Sequence, residues 1–317
     1  MRSTTRWAIG ALAAVTVAGT GATAFWGRTG HLLVGRAAAA HLPADMPDFF
    51  REAAPRLSYL NYEPDRWRSR DHREMDEAFK YDHYIDLENV PDSIRAAPDR
   101  FVYLTRLFRE TDLAHPERDA GFLPFRILEL YERMLTGFER WRAVEDPEER
   151  AWIEARILND AGVLGHYVAD GAQPHHTTIH FNGWSQNAPN PRGFTTSNDF
   201  HWRFESLFVD AAVDPERVVA VARLAAPRRL PSVRAAVWDY LLQSNLLVER
   251  LYELEQSDGF DPNAPTDATR AFAEERLAAG ARMLRDLWWT AWVESGAPDD
   301  DEQGAGAAPQ EPTGPGV

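Results

Sequence analysis

From about Gly30 to Gly296, apolar residues return every three or four positions with charges between them, and that period restricts the chain to helices. The segments 123–141, 150–170, 233–255 and 266–295 carry it most clearly, while strand-like alternation is scarce. Pro124, the Pro-Ser at 231–232 and the Pro-Thr-Asp at 265–267 predict helix starts, because a proline or a polar cap satisfies the first turn. Between His176 and Asp199 the period fails, and Asn, Gly, Pro and Ser predict a long loop. A loop of that length inside a compact domain is commonly functional. The expected fold is all-α, a single multi-helix domain with a long active-site loop.

Composition narrows the chemistry. A chain of 317 residues that is 44% apolar can bury a sizeable core. It has no cysteine, which excludes disulfides, cysteine nucleophiles and thiolate metal sites, so any metal must rest on His and carboxylates. The formal charge of −15 argues against tight binding of duplex DNA. Of the 34 basic residues only Lys80 is a lysine, and the arginines supply forks suited to phosphate.

Arg2 and Arg6 precede an uncharged run from Trp7 to Ala24 that ends in Ala22-Thr23-Ala24. This predicts a signal peptide over 1–24 and a secreted or periplasmic protein, with an uncleaved anchor as the alternative. The domain is then expected over 25–296. Pro, Gly and acidic residues predict a disordered tail over 297–317.

The histidines are grouped. His166 and Asp170 are four apart, as are His201 and Glu205, and on a helix each pair shares a face and forms a half-site for a divalent metal. After Asp170 come Gly171-Ala172-Gln173-Pro174-His175-His176, where the proline should end the helix and deliver His176 just past the turn. Upstream lie Trp26-Gly27-Arg28-Thr29-Gly30-His31, Asp65-Arg66-Trp67-Arg68 and His83-Tyr84-Ile85-Asp86. His175 and His180 are candidates for supporting or substrate contacts. His41, His72 and His115 read as solvated.

Taken in order, these motifs resemble the three-zinc phosphodiesterases that unite bacterial zinc-dependent phospholipase C with the single-strand-specific nucleases of the S-one and P-one type. The resemblance runs from Trp26 to Glu205 and implies three Zn²⁺ ions. Asp65, His83, His166 and Asp170 would hold the first, and His176, His201 and Glu205 the second. His31, a bridging Asp170 and the terminal amine and carbonyl of Trp26 would hold the third. It further implies that a water between the first and third ions, oriented by Asp65, attacks phosphorus, so that Asp65 and Asp170 are the catalytic carboxylates. Two features depart from the family: cleavage after Ala24 leaves Phe25 ahead of Trp26, and Glu205 stands where the nucleases have Asp.

On the nuclease side, Tyr84 would stack on a base, Asp86 would bind a base edge and Arg68 would meet phosphate. From the residues alone, Tyr84 serves equally as a core aromatic, Arg68 as an ion-pair partner and Asp86 as support for His83. On the phospholipase side stand Glu205 and the aromatic run Ile179-His180-Phe181-Asn182-Gly183-Trp184, which could seat a choline headgroup. The expectation is a secreted endonuclease and 3′-nucleotidase acting on single-stranded nucleic acid or nucleotides as a monomer, without a stable protein partner. Phospholipid is the alternative substrate, and a non-catalytic metal-binding helical protein the alternative class.

Overall fold

A computed structural model of the chain describes residues 27–69 and 71–296. The expected leader over 1–24, Trp26 and the tail over 297–317 lie outside the described residues. Among the described residues every regular element is helical and no strand occurs.

Among the described residues, nine of the helices organise the molecule: α1 (Arg28–Ala39), α2 (Ala54–Leu60), α3 (Arg100–Glu110), α4 (Leu123–Ala143), α5 (Pro147–Ala172), α6 (Pro215–Arg223), α7 (Val233–Asn245), α8 (Val248–Ser257) and α9 (Asp267–Glu294). Their starts follow the sequence signals. Pro124 sits in the first turn of α4, the Ser232 hydroxyl accepts from Ala235 N–H, and Thr266 and Thr269 cap α9 reciprocally. Helix α5 begins three residues ahead of the apolar period, because the Asp146 carboxylate accepts from Glu149 N–H and Pro147 occupies the first turn.

The periodic segment 233–255 divides into α7 and α8. The period runs through because both helices bury their apolar faces on the same body. The chain itself turns at Leu246, which is exposed, and Asn245 Nδ2 donates to the Thr177 carbonyl at 2.8 Å.

Helix α5 lies at the centre, packed against α4, α9, α1 and α2. It is apolar on most faces over its second half, from Ile157 to Ala172, as a helix surrounded by others must be. Two polar groups in that half, His166 and Asp170, are fully buried. Burying them has to be offset by partners, and those partners define the site. None of the described helices is long and apolar enough to cross a membrane.

Candidate metal centre

His166 and Asp170 lie one turn apart in the last third of α5, with His166 Nε2 at 3.3 Å from Asp170 Oδ2. The helix ends at Ala172, and Pro174 opens a short 3₁₀ turn, Pro174–Thr177, in which the Gln173 side chain accepts from His175 N–H. That turn carries His176 back toward the helix end, as the proline predicted.

The segment 81–86 is pinned on two sides. Ile85 N–H donates to His176 O at 2.8 Å, while Asp86 N–H donates to Ala120 O and Leu123 N–H to Tyr84 O. Gly121 makes the second contact possible: it has φ +77°, and a Cβ there would lie 2.2 Å from the Tyr84 carbonyl oxygen. Just before His83, the buried Asp82 carboxylate receives Arg100 at 3.0 Å and Arg126 at 2.6 Å. His83 is thereby fixed with Nδ1 at 3.0 Å from both Asp170 Oδ2 and His166 Nε2.

His201 and Glu205 come from a short helix, Phe200–Trp202, that widens into a π-helix over Arg203–Phe208. Their side chains still meet, with His201 Nε2 at 2.9 Å from Glu205 Oε2, and His176 Nε2 lies 3.1 Å from His201 Nε2. Local π-helices of this kind concentrate at functional sites. From α1, His31 stacks flat on His166 with ring centroids 3.9 Å apart, and its Nε2 lies 3.6 Å from Asp170 Oδ1 and 3.8 Å from Asp65 Oδ2.

The side chains therefore form three groups able to hold a metal ion: His31, His166 and Asp170; Asp65, His83 and His166; and His176, His201 and Glu205. All eight ligand candidates within the described residues belong to one of them. Asp170 is the shared carboxylate, with oxygens within 3.6 Å of His31, His83, His166 and His176.

Two hydrogen bonds settle tautomers. A carbonyl oxygen can only accept, so His166 Nδ1–H donates to Asn61 O at 2.9 Å and His176 Nδ1–H donates to His83 O at 2.8 Å. Each leaves the Nε2 lone pair directed at the group, the arrangement expected of a metal-ligating imidazole.

The buried atoms without a hydrogen-bond partner test the fit to cations. They include both ring nitrogens of His31, Asp65 Oδ1, Asp170 Oδ1 and both Glu205 oxygens. Leaving such groups unpaired costs about 1–3 kcal/mol each, more for a charge, so convergent lone pairs here call for a cation. Burial pushes Asp65 up to about 7, with His166 opposing and the Asp170 and Glu205 carboxylates adding to the rise. It also lifts Glu205 to about 7 against the pull of His176, and holds His201 down at about 3. Neutral imidazoles are the ligating form, and a divalent ion would reverse the penalty on the carboxylates.

A cavity of about 780 Å³ opens beside the His176 and His201 edge. Arg68, Tyr84 and Asp86 all line it, together with Lys80, Arg118 and Phe181. Arg68 Nε donates to Asp76 Oδ1 at 2.6 Å, and the Tyr84 hydroxyl donates to the Arg118 carbonyl. What Tyr84 offers the cavity is therefore its ring. Asp86 is buried and its Oδ1 has no hydrogen-bond partner; burial first, then Glu88 and Asp119, raise its pKa well above the usual carboxylate range.

Residues 178–199 form the expected loop, held firmly in place. Glu88 accepts from Thr178 and from Ile179 N–H, and His180 stacks on Trp184 at 3.7 Å. His180 thus supports the loop, and Trp184 packs on Phe194 and Tyr252, which leaves Phe181 as the loop aromatic at the cavity. His175 is buried, tilted against His201 and edge-on to Phe200, Phe204 and Tyr252. His72 and His115 are exposed as expected; His41 is half-buried instead, with a ring nitrogen 3.2 Å from the Val219 carbonyl, because α6 packs over it.

Sequence reading missed Asn61, Asp76 and Asp82. Each lacks a motif: Asn61 and Asp82 act through partners distant in the sequence, and Asp76 through Arg68, eight residues before it in no helical register with it. No protein-family model matches the chain, and no curated protein matches it.

Proposed function

We propose that the chain is an exported zinc-dependent phosphodiesterase of the three-zinc type, cleaving single-stranded nucleic acid and 3′-nucleotides. One observation carries the reading: a cavity lined by an arginine, an aromatic ring and a buried carboxylate with one unpartnered oxygen opens directly onto the His176 and His201 edge of the metal centre. The donor set of imidazole and carboxylate suits zinc. Bound zinc supplies Lewis-acid charge for the phosphoryl group and an acidified water.

The residues divide the remaining work. Asp65, at the edge of the centre within 3.8 Å of His31 and His166, would orient the attacking water through a carboxylate oxygen. Arg68 follows three residues later and is braced by Asp76, so its guanidinium is positioned for phosphate oxygens. Tyr84 supplies a stacking face and Asp86 a hydrogen-bonding group for a base edge. Phospholipase action has Glu205 in its favour. A choline headgroup wants several aromatic faces, however, and Trp184 is committed to holding the loop.

The test measures turnover of single-stranded DNA, 3′-AMP and a chromogenic phosphocholine ester side by side, with zinc counted in the same sample. Hydrolysis of the first two, abolished by chelator and restored by zinc, is expected. Hydrolysis of the phosphocholine ester alone would assign the phospholipase activity. Zinc binding without any turnover would leave a metal-binding protein and overturn the enzyme.

A further inference from the structure

Asn61 follows α2, and its side chain is wholly buried with neither amide atom hydrogen-bonded among the described residues. A buried amide without partners is costly and needs a reason. The surroundings make room for it. A Cβ on Gly35 of α1 would come within 2.9 Å of Asn61 Nδ2, and one on Gly165 of α5 within 2.3 Å. Glycine inside a helix costs about 1 kcal/mol relative to alanine, so both helices carry that cost where they face this side chain.

What lies beside Asn61 belongs to two of the three metal groups. Its backbone carbonyl fixes the His166 ring through Nδ1 at 2.9 Å. His31 is stacked on His166 and stands one turn before Gly35 on α1, so it shares the face that Asn61 abuts. His31 Nδ1 is itself buried without a hydrogen-bond partner.

We propose that Asn61 is a positioning residue shared by two metal sites, its carbonyl orienting His166 and its side-chain oxygen accepting from His31 Nδ1–H so that His31 Nε2 faces the ion. This rests on the metal-centre reading above. It assigns the two halves of one residue to different ligands, so they separate by mutation. Replacing the side chain leaves the carbonyl and the His166 tautomer in place and releases His31 alone.

The experiment counts zinc bound by the full chain after dialysis against a graded zinc series, for wild type, Asn61→Ala and Asn61→Asp. Supporting hydrogen bonds of this kind set metal affinity by about 10- to 100-fold. Asn61→Ala should weaken one ion by that factor and leave the others unchanged. Asn61→Asp, which keeps an acceptor, should recover it. A second readout separates positioning from packing: in chelator, Asn61→Ala should melt no lower than wild type, while its stabilisation by zinc should be smaller. Unchanged affinity for every ion, or equal weakening of all of them, would overturn the proposal and leave the metal centre standing. A wild-type chain that binds no zinc would overturn both.

Discussion

Asp170 bears the greatest demand on any one side chain. It is fully buried, flanked by four imidazoles, and its pKa is raised well above the usual range, first by burial and then by Glu205. A carboxylate so placed is stable only when a cation shares it. Asp170→Asn preserves shape and removes the charge, so it should lose zinc from more than one site and lower turnover by more than about 100-fold. Elemental analysis beside the kinetics checks this, and an unaltered zinc count would refute the shared role. The pH dependence follows from the same residues. With zinc removed, Asp65 and Glu205 titrate near 7 in the folded chain, above their unfolded values near 4. Their contribution is therefore complete at low pH and lost as pH rises through about 7. The buried imidazoles act oppositely, their stability being present above about 6.5 and lost as pH falls, because the folded chain disfavours their protonated form. The carboxylate loss runs from about pH 4 to about 7 and is opposed by the imidazoles below about 6.5, so the melting temperature in chelator should depend on pH mainly below about 7, whereas zinc affinity should increase as pH rises toward 7 and the ions displace carboxyl protons. Calorimetry in buffers of different ionisation enthalpy reads the released protons.

At the level of elements, the sequence disclosed whatever lies within one helix or one turn. His166 with Asp170 and His201 with Glu205 were legible because four-residue spacing fixes a shared face, and His176 because Pro174 must end a helix. The second pair meets even though a π-helix over Arg203–Phe208 replaces the α-helix that the spacing suggested. Contacts between elements were illegible. Nothing around Asp82 announces that Arg100 and Arg126 close on it, and nothing around Gly121 announces the Tyr84 carbonyl pressed against it. The segment 81–86 nevertheless depends on both, since it has no regular hydrogen-bonded partner strand to set its position. Gly121→Ala adds a Cβ at 2.2 Å from that carbonyl at a positive φ, which should cost about 1–3 kcal/mol and shift the segment that carries His83. Thermal melts and zinc titration should therefore deteriorate together. A variant with a lowered melting temperature but unchanged zinc affinity would mean that this contact is structural only.

Across the whole molecule, the absence of cysteine and the placement of the site have one consequence for stability. No disulfide can brace the chain, and the centre of its core is occupied by imidazoles and carboxylates contributed by α1, α5 and the segments around Asp65, His83, His176 and His201. Those segments are far apart in sequence, and the ions would join them at one place. Removing zinc should therefore loosen the molecule as a unit, because each ligand segment loses the same tie. Binding energy available only to the folded chain adds directly to its stability, about 4 kcal/mol when free zinc is a thousandfold above the dissociation constant. A domain of this size shifts by about 2–4 °C for each kcal/mol, so chelation should lower the melting temperature by about 8–16 °C for each such site emptied. Helix content by circular dichroism should persist below the new transition, since the helices also pack α4, α5 and α9 through apolar contacts remote from the ions. A melting curve indifferent to chelator would show that the buried carboxylates and imidazoles are satisfied without metal, and would remove the physical basis on which the catalytic reading stands.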